Sequence, residues 1–186
     1  MCKQQDIYNQ YRQFLKELAR TNSSKLFTNG GKDYASILMS VLLDNTESIA
    51  RIFCIGFRPE LVCTNDYQNS LEKFLRDSDK EIKILVETDD YIEDSGVKIL
   101  SDANHEDFHA SVGIKKISED DRVKLMDEVG GGHCNFAVYD DSKFRFEYDP
   151  ENFKAFGSFN DKETSARLIR LFDEAYAKAE DLSVRI

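Results

Sequence analysis

The residues best able to do chemistry fall in two short stretches. The first, His105-Glu106-Asp107-Phe108-His109, spells HExxH. On a helix, histidines four apart share a face and can hold one zinc ion, with Glu106 polarising a bound water: the chemistry of a zinc hydrolase. Glu119, Glu128 or His133 would be the third ligand. Against this, Asp107 places a charge where such a helix is normally apolar. The flanks form no long apolar helix, and a strand begins soon afterwards. An exposed polar helix end or loop accounts for the stretch as well. The second stretch is His133-Cys134-Asn135-Phe136-Ala137-Val138-Tyr139-Asp140. Read as a strand, it puts His133 and Asn135 on the same face. It pairs an imidazole with a carboxamide that donates a hydrogen bond but carries no charge. These residues can equally finish a strand and form an Asx-type turn. Gly131 and Gly132, just upstream, either offer backbone N–H groups to a phosphate or simply stop a helix.

Nothing else matches these two in specificity. The cysteines, Cys2, Cys54, Cys63 and Cys134, form no CxxC pair and are expected to be structural thiols. Asn29-Gly30-Gly31-Lys32 lacks the strand and spacing of a P-loop and reads as a turn. Asp89, Asp90, Glu93 and Asp94 have no defined ligand spacing and read as a solvated loop. No cofactor is expected. The net charge of −10 disfavours both free nucleic acid and anionic membranes as partners, because no dense basic run offsets it. The composition is globular, at 41% hydrophobic and 32% charged residues. No apolar run approaches the roughly 20 residues of a membrane span. The first residues lack the basic-then-apolar pattern of a signal peptide, so a cytoplasmic protein is expected.

The elements that position these residues follow from hydrophobic spacing. Helices are predicted over residues 4–20, 33–45, 66–77, about 118–129, and 161–181. Strands are predicted over 50–56, 81–87, 111–117, 133–139, 143–148 and 153–159. Ser118 and Asp121 open the fourth helix as a capping box, and Gly130 ends it. Residues 97–110 are ambiguous. The order predicts an α/β chain with a mixed sheet flanked by helices on both faces. An N-terminal helical extension, residues 1–31, precedes a domain of residues 32–186, packed with it as one globular unit.

That order and the second stretch together resemble the phospholipase D-like superfamily. Its members carry H-x-K-x4-D on a strand ending in a tight turn. Here His133 and Asp140 keep the spacing, and Asn135 replaces the Lys. Gly157-Ser158-Phe159-Asn160 is similar to the G-S-x-N element of many members, although a hairpin intervenes. The resemblance covers residues 33–181 and implies one half of a two-motif site. In such a site one His attacks phosphorus, a second protonates the leaving group, and the Lys neutralises phosphoryl oxygens. It implies His133, Asn135, Asp140 and Ser158 as catalytic or vestigial residues, with Gly131, Gly132 and Asn160 beside the ligand. With a single motif, a complete site needs a second copy, so a homodimer is expected. The missing Lys favours a non-catalytic ligand-sensing or protein-interaction module, its partner being an unknown protein or a phosphate-containing ligand. A weak phosphodiesterase or nuclease working through His133 across a homodimer is the alternative. A zinc hydrolase at His105, Glu106 and His109 is the third reading.

Overall fold

The computed structural model describes residues 3–89 and 107–182. In chain order the elements are α1 (Lys3–Arg20), β1 (Phe27–Asn29), α2 (Lys32–Asp44), β2 (Ile49–Cys54), α3 (Pro59–Val62), α4 (Asn65–Leu75) and β3 (Glu81–Val86). After the undescribed stretch come β4 (Ser111–Lys116), α5 (Glu119–Val129), β5 (Asn135–Tyr139), β6 (Lys143–Asp149), β7 (Lys154–Ser158), α6 (Lys162–Lys178) and β8 (Glu180–Asp181). The strands form one mixed sheet in the order β1-β7-β6-β5-β2-β3-β4-β8. Strands β2, β3 and β4 run parallel, and β5 lies antiparallel against β2.

Side chains alternate along each strand, so β5 serves two cores at once. Ala137 and Tyr139 face one cluster with Ala50, Ile82 and Ile84, which α1, α2 and α4 cover through Leu15, Leu38 and Leu71. Phe136 and Val138 face the other, with Phe53, Leu85 and Phe144, under Leu125 of α5 and Phe172 of α6. The expected mixed sheet with helices on both faces is what forms. Helix starts are set by side-chain caps: Thr64 accepts from the Tyr67 N–H, Ser118 from Asp121 and Asp161 from Thr164. Gly130 caps α5 in the left-handed conformation, as its position predicted.

Four local expectations need correction. Residues 27–29, read as leading into a turn, form β1 on β7, because Phe27 buries its ring against Phe159. No element is predicted between residues 56 and 66, yet the short helix α3 forms there, with Pro59 in its first turn. The last helix stops at Lys178, and the chain returns as β8 along β4. The fourth predicted strand starts two residues late, at Asn135, because Gly130, Gly131 and Gly132 all have positive φ and keep the chain off the ladder.

Close packing makes Gly157 a sensitive point. A Cβ there would lie 2.1 Å from the Phe144 carbonyl oxygen and 2.6 Å from the Phe27 ring. Backbone cannot step aside as a side chain can. Gly157→Ala is expected to lose about 1–3 kcal/mol, read as a lower urea midpoint with unchanged slope.

Candidate functional site

The ends of β2 and β3 and the start of β5 meet at one rim of the sheet. Asn135 is the first residue of β5 and is paired in register with Glu147 of β6, while Ala137 is paired with Arg145. The two-residue pleat therefore puts Asn135, Arg145 and Glu147 on one face, beneath the helices α1, α2 and α4. All three are buried; Glu147 is 1% exposed and Arg145 5%.

Burying a charge is costly unless partners surround it. Glu147 has two: Asn135 Nδ2 donates to its Oε2 at 2.5 Å, and Arg145 Nη2 to its Oε1 at 2.6 Å. Asn135 Oδ1 accepts from the Ile55 N–H at 3.0 Å, so both ends of the carboxamide are engaged. Arg145 Nε reaches Asn29 Oδ1 at 3.4 Å, and Asn29 Nδ2 donates to the Phe153 carbonyl. Arg58 comes from the loop between β2 and α3. Its Nη1 donates to the Pro150 carbonyl at 2.5 Å, and its guanidinium lies 5.1 Å from the centre of the Phe153 ring. Phe153 holds a left-handed backbone at φ 53°, unusual for an aromatic residue.

Asn135, Arg145, Glu147 and Arg58 border a cavity of about 60 Å³, whose remaining wall is largely apolar and includes Met39, Leu61, Val62 and Tyr67. A second hollow of about 450 Å³ lies on the outer side of Gly56 and Arg58, reaching Pro59, Glu60 and Thr88. Cys54 borders the inner cavity. Burial raises its thiol to about 12, helped by the Glu147 and Glu87 carboxylates and opposed by Arg58, so no thiolate forms near neutrality. Burial likewise raises Cys134 to about 12. Cys63 is exposed, unlike the buried thiol expected there.

The residues singled out by sequence do not converge. His133 is exposed on the loop before β5, so the expected shared strand face with Asn135 does not form. Its nearest charged company includes Glu87, whose carboxyl is raised mainly by burial, against the lowering effects of Arg122 and His133. Gly131 and Gly132 are exposed beside it. Asp140 lies at the far end of β5, roughly 20 Å from His133 at about 3.3 Å per residue. There it accepts from the backbone N–H groups of Glu47, Ser48 and Ile49 and pairs with Lys143 Nζ at 2.7 Å. Ser158 is at that far end too. It accepts from the Asn160 N–H, and Asn160 Nδ2 donates to the Asn22 carbonyl, fastening the α1–β1 connection. His109 is exposed, its N–H bonded to the Leu75 carbonyl, while His105 and Glu106 lie outside the described residues, as do Asp90, Glu93 and Asp94. Among the described residues no group of three potential ligands could hold a metal ion. Nor is any helix among them long and apolar enough to cross a membrane.

Sequence reasoning passed over Arg58, Arg145 and Glu147. A signal existed for two of them. Phe144-Arg145-Phe146-Glu147-Tyr148 alternates aromatic and charged residues, so both charges share one face. In a strand covered on both sides, that face is inside.

No family model and no curated protein matches the sequence. Solved structures do match the fold. TrmBL2, described as an archaeal chromatin protein with a novel mode of DNA binding, superposes with TM-score 0.54 at 12% identity, over 97% of this chain and 64% of that one. This chain thus spans less than two thirds of that protein. Nuc of Salmonella typhimurium, a phospholipase D family member, gives 0.53 at 8% identity, over 84% of this chain and 98% of that one. NucT of Helicobacter pylori gives 0.54 at 10%, over 85% and 99%. At such identities the likeness establishes the fold alone.

Proposed function

We propose that this chain, phospholipase D-like in its fold, is a non-catalytic module that binds a ligand or a protein partner. One observation carries the reading. Asn135, at the place where the family motif has its Lys, is occupied between the Ile55 N–H and the Glu147 carboxylate. A phosphoryl transition state needs positive charge beside its oxygens. Here the nearest group to the carboxamide is a carboxylate, and the only imidazole of the motif stands outside the strand. The four-residue set His133, Asn135, Asp140 and Ser158 is divided between two ends of the sheet, where Asp140 and Ser158 serve as fasteners.

The test is hydrolysis of bis-p-nitrophenyl phosphate by wild type, His133→Ala and Asn135→Lys. All three are expected to stay at the buffer rate. A Lys at 135 would meet Glu147 and be neutralised by it, so restoring the motif residue is not expected to restore turnover. A rate in the wild type that His133→Ala removes would overturn the reading.

The exposure of His133 favours one second reading, a weak phosphodiesterase in which two copies of a homodimer bring their His133 residues together. Sedimentation at the mass of a single chain would remove it.

A further inference from the structure

We infer that the cavity over Asn135 and Glu147 takes a small monoanion with a short apolar body, its charged end held by Arg58. This deepens the reading of a non-catalytic binding module and rests on it. Three features of the cavity point to that chemistry.

The first is charge. Two guanidiniums, Arg58 and Arg145, border the cavity with one carboxylate, Glu147. Arg145 and Glu147 are paired at 2.6 Å. Arg58 has no carboxylate within ion-pair distance among the described residues; its polar contact there is the Pro150 carbonyl. Counted over the described residues, the wall thus carries one net positive charge. A monoanion balances it. A dianion would add repulsion from Glu147, and a cation would be opposed by Arg58. Glu87, just past the end of β3, belongs to neither lining and has Arg122 at 3.7 Å, and Glu60 lies on the outer hollow.

The second feature is the lining. Most of the lining is apolar or aromatic, Met39, Ile52, Leu61, Val62, Ile84 and Ala137 among it. In the polar floor the Asn135 carboxamide and both Glu147 oxygens are already hydrogen-bonded within the protein, so the apolar wall is left to set the body of the ligand. At 60 Å³ the inner space holds about five waters, counting roughly 10–15 Å³ for each. That is the bulk of a four-carbon chain.

The third is the place of Arg58. It borders both the 60 Å³ cavity and the 450 Å³ hollow outside. Among the described residues it is the one charged side chain common to the two, anchored by one hydrogen bond and one ring contact rather than by a salt bridge. A carboxylate arriving from outside can exchange with the Pro150 carbonyl and take a two-pronged bond from the guanidinium, which is stronger than a bond to a neutral oxygen. The apolar body then follows inward.

Isothermal titration of the full chain with butanoate, butyl phosphate, 1-butanol and butylamine tests this. Butanoate is expected to bind at least tenfold more tightly than the alcohol or the amine, and more tightly than butyl phosphate. Arg58→Gln is expected to weaken butanoate at least tenfold, and Arg58→Lys to recover part of the loss. Equal binding of butanol and butanoate overturns the inference, as does tighter binding of butyl phosphate, no binding of butanoate, or an unchanged affinity in Arg58→Gln. The wild-type series decides the charge without any variant, so a poorly folded Arg58→Gln leaves the test intact. A His133-dependent hydrolysis rate would remove the non-catalytic reading yet leave a butanoate signal standing. Silence toward butanoate removes this inference alone.

Discussion

Arg145→Met is expected to lose about 3–5 kcal/mol of folding stability, because it leaves the Glu147 carboxylate buried with only Asn135 to hold it. The side chains of the pair are 6% and 2% exposed, so water cannot take over the role of the guanidinium. Asn29 loses a donor as well. Removing both charges together, as Arg145→Met with Glu147→Leu, is expected to return most of the loss. The penalty comes from an uncompensated charge and not from the absence of attraction. Urea unfolding of the wild type, both single variants and the double variant closes the cycle, with a coupling of a few kcal/mol expected. A single-variant loss under about 1 kcal/mol would mean that the carboxylate finds water, and that the cavity is wetter than its lining implies.

Asp140 gives the second large effect. Burial works to raise its carboxyl, but the Lys143 ammonium and the N–H groups of Glu47 and Ser48 outweigh that and hold it below the usual carboxylate value. A carboxylate with three backbone donors and an ammonium stabilises the turn into β2 by about 2–3 kcal/mol at neutral pH. The backbone there is left-handed, φ 56°, which Asn tolerates and Ala does not. Asp140→Asn therefore removes the charge with little added strain, and Asp140→Ala removes both and loses about a further 1 kcal/mol. The sign of the pH effect follows from the lowered pKa. The contribution is fully present above the unfolded-state value near 4 and is lost as pH falls through the lower folded value. The stability gap between wild type and Asp140→Asn is thus expected to be constant from pH 7 to 5 and to close below pH 4. A gap independent of pH down to 2 would show that the turn is held by shape and not by charge.

Much of the fold was legible because period-two and period-3.6 patterns survive in strands and helices covered on one or both faces. The capping box at Ser118 and the stop at Gly130 were readable because each depends on a few adjacent residues. What failed was either short or non-local. Strand β1 is three residues long and exists because Phe27 finds Phe159, more than a hundred positions away. The site was less legible than the fold for the same reason. His133, Asn135 and Asp140 are neighbours in a motif, yet the strand separates them by its own length. Asn135 instead meets Glu147 across a hairpin and shares its cavity lining with Arg58. A linear motif records spacing along the chain; it does not record that β6 carries its two charges inward.

The outermost strands of the sheet are stubs, three residues in β1 and two in β8. Among the described residues, β1 covers three of the five residues of β7 and β8 pairs at Lys115 and Lys116 of β4, so each edge strand offers a foreign strand only a short ladder. Growth of the ladder from molecule to molecule is thereby discouraged. Were copies of this chain to pair, such short edges would leave the joint to side chains on helices and rim loops, whose contacts respond to salt and sequence, and not to open-ended hydrogen bonding.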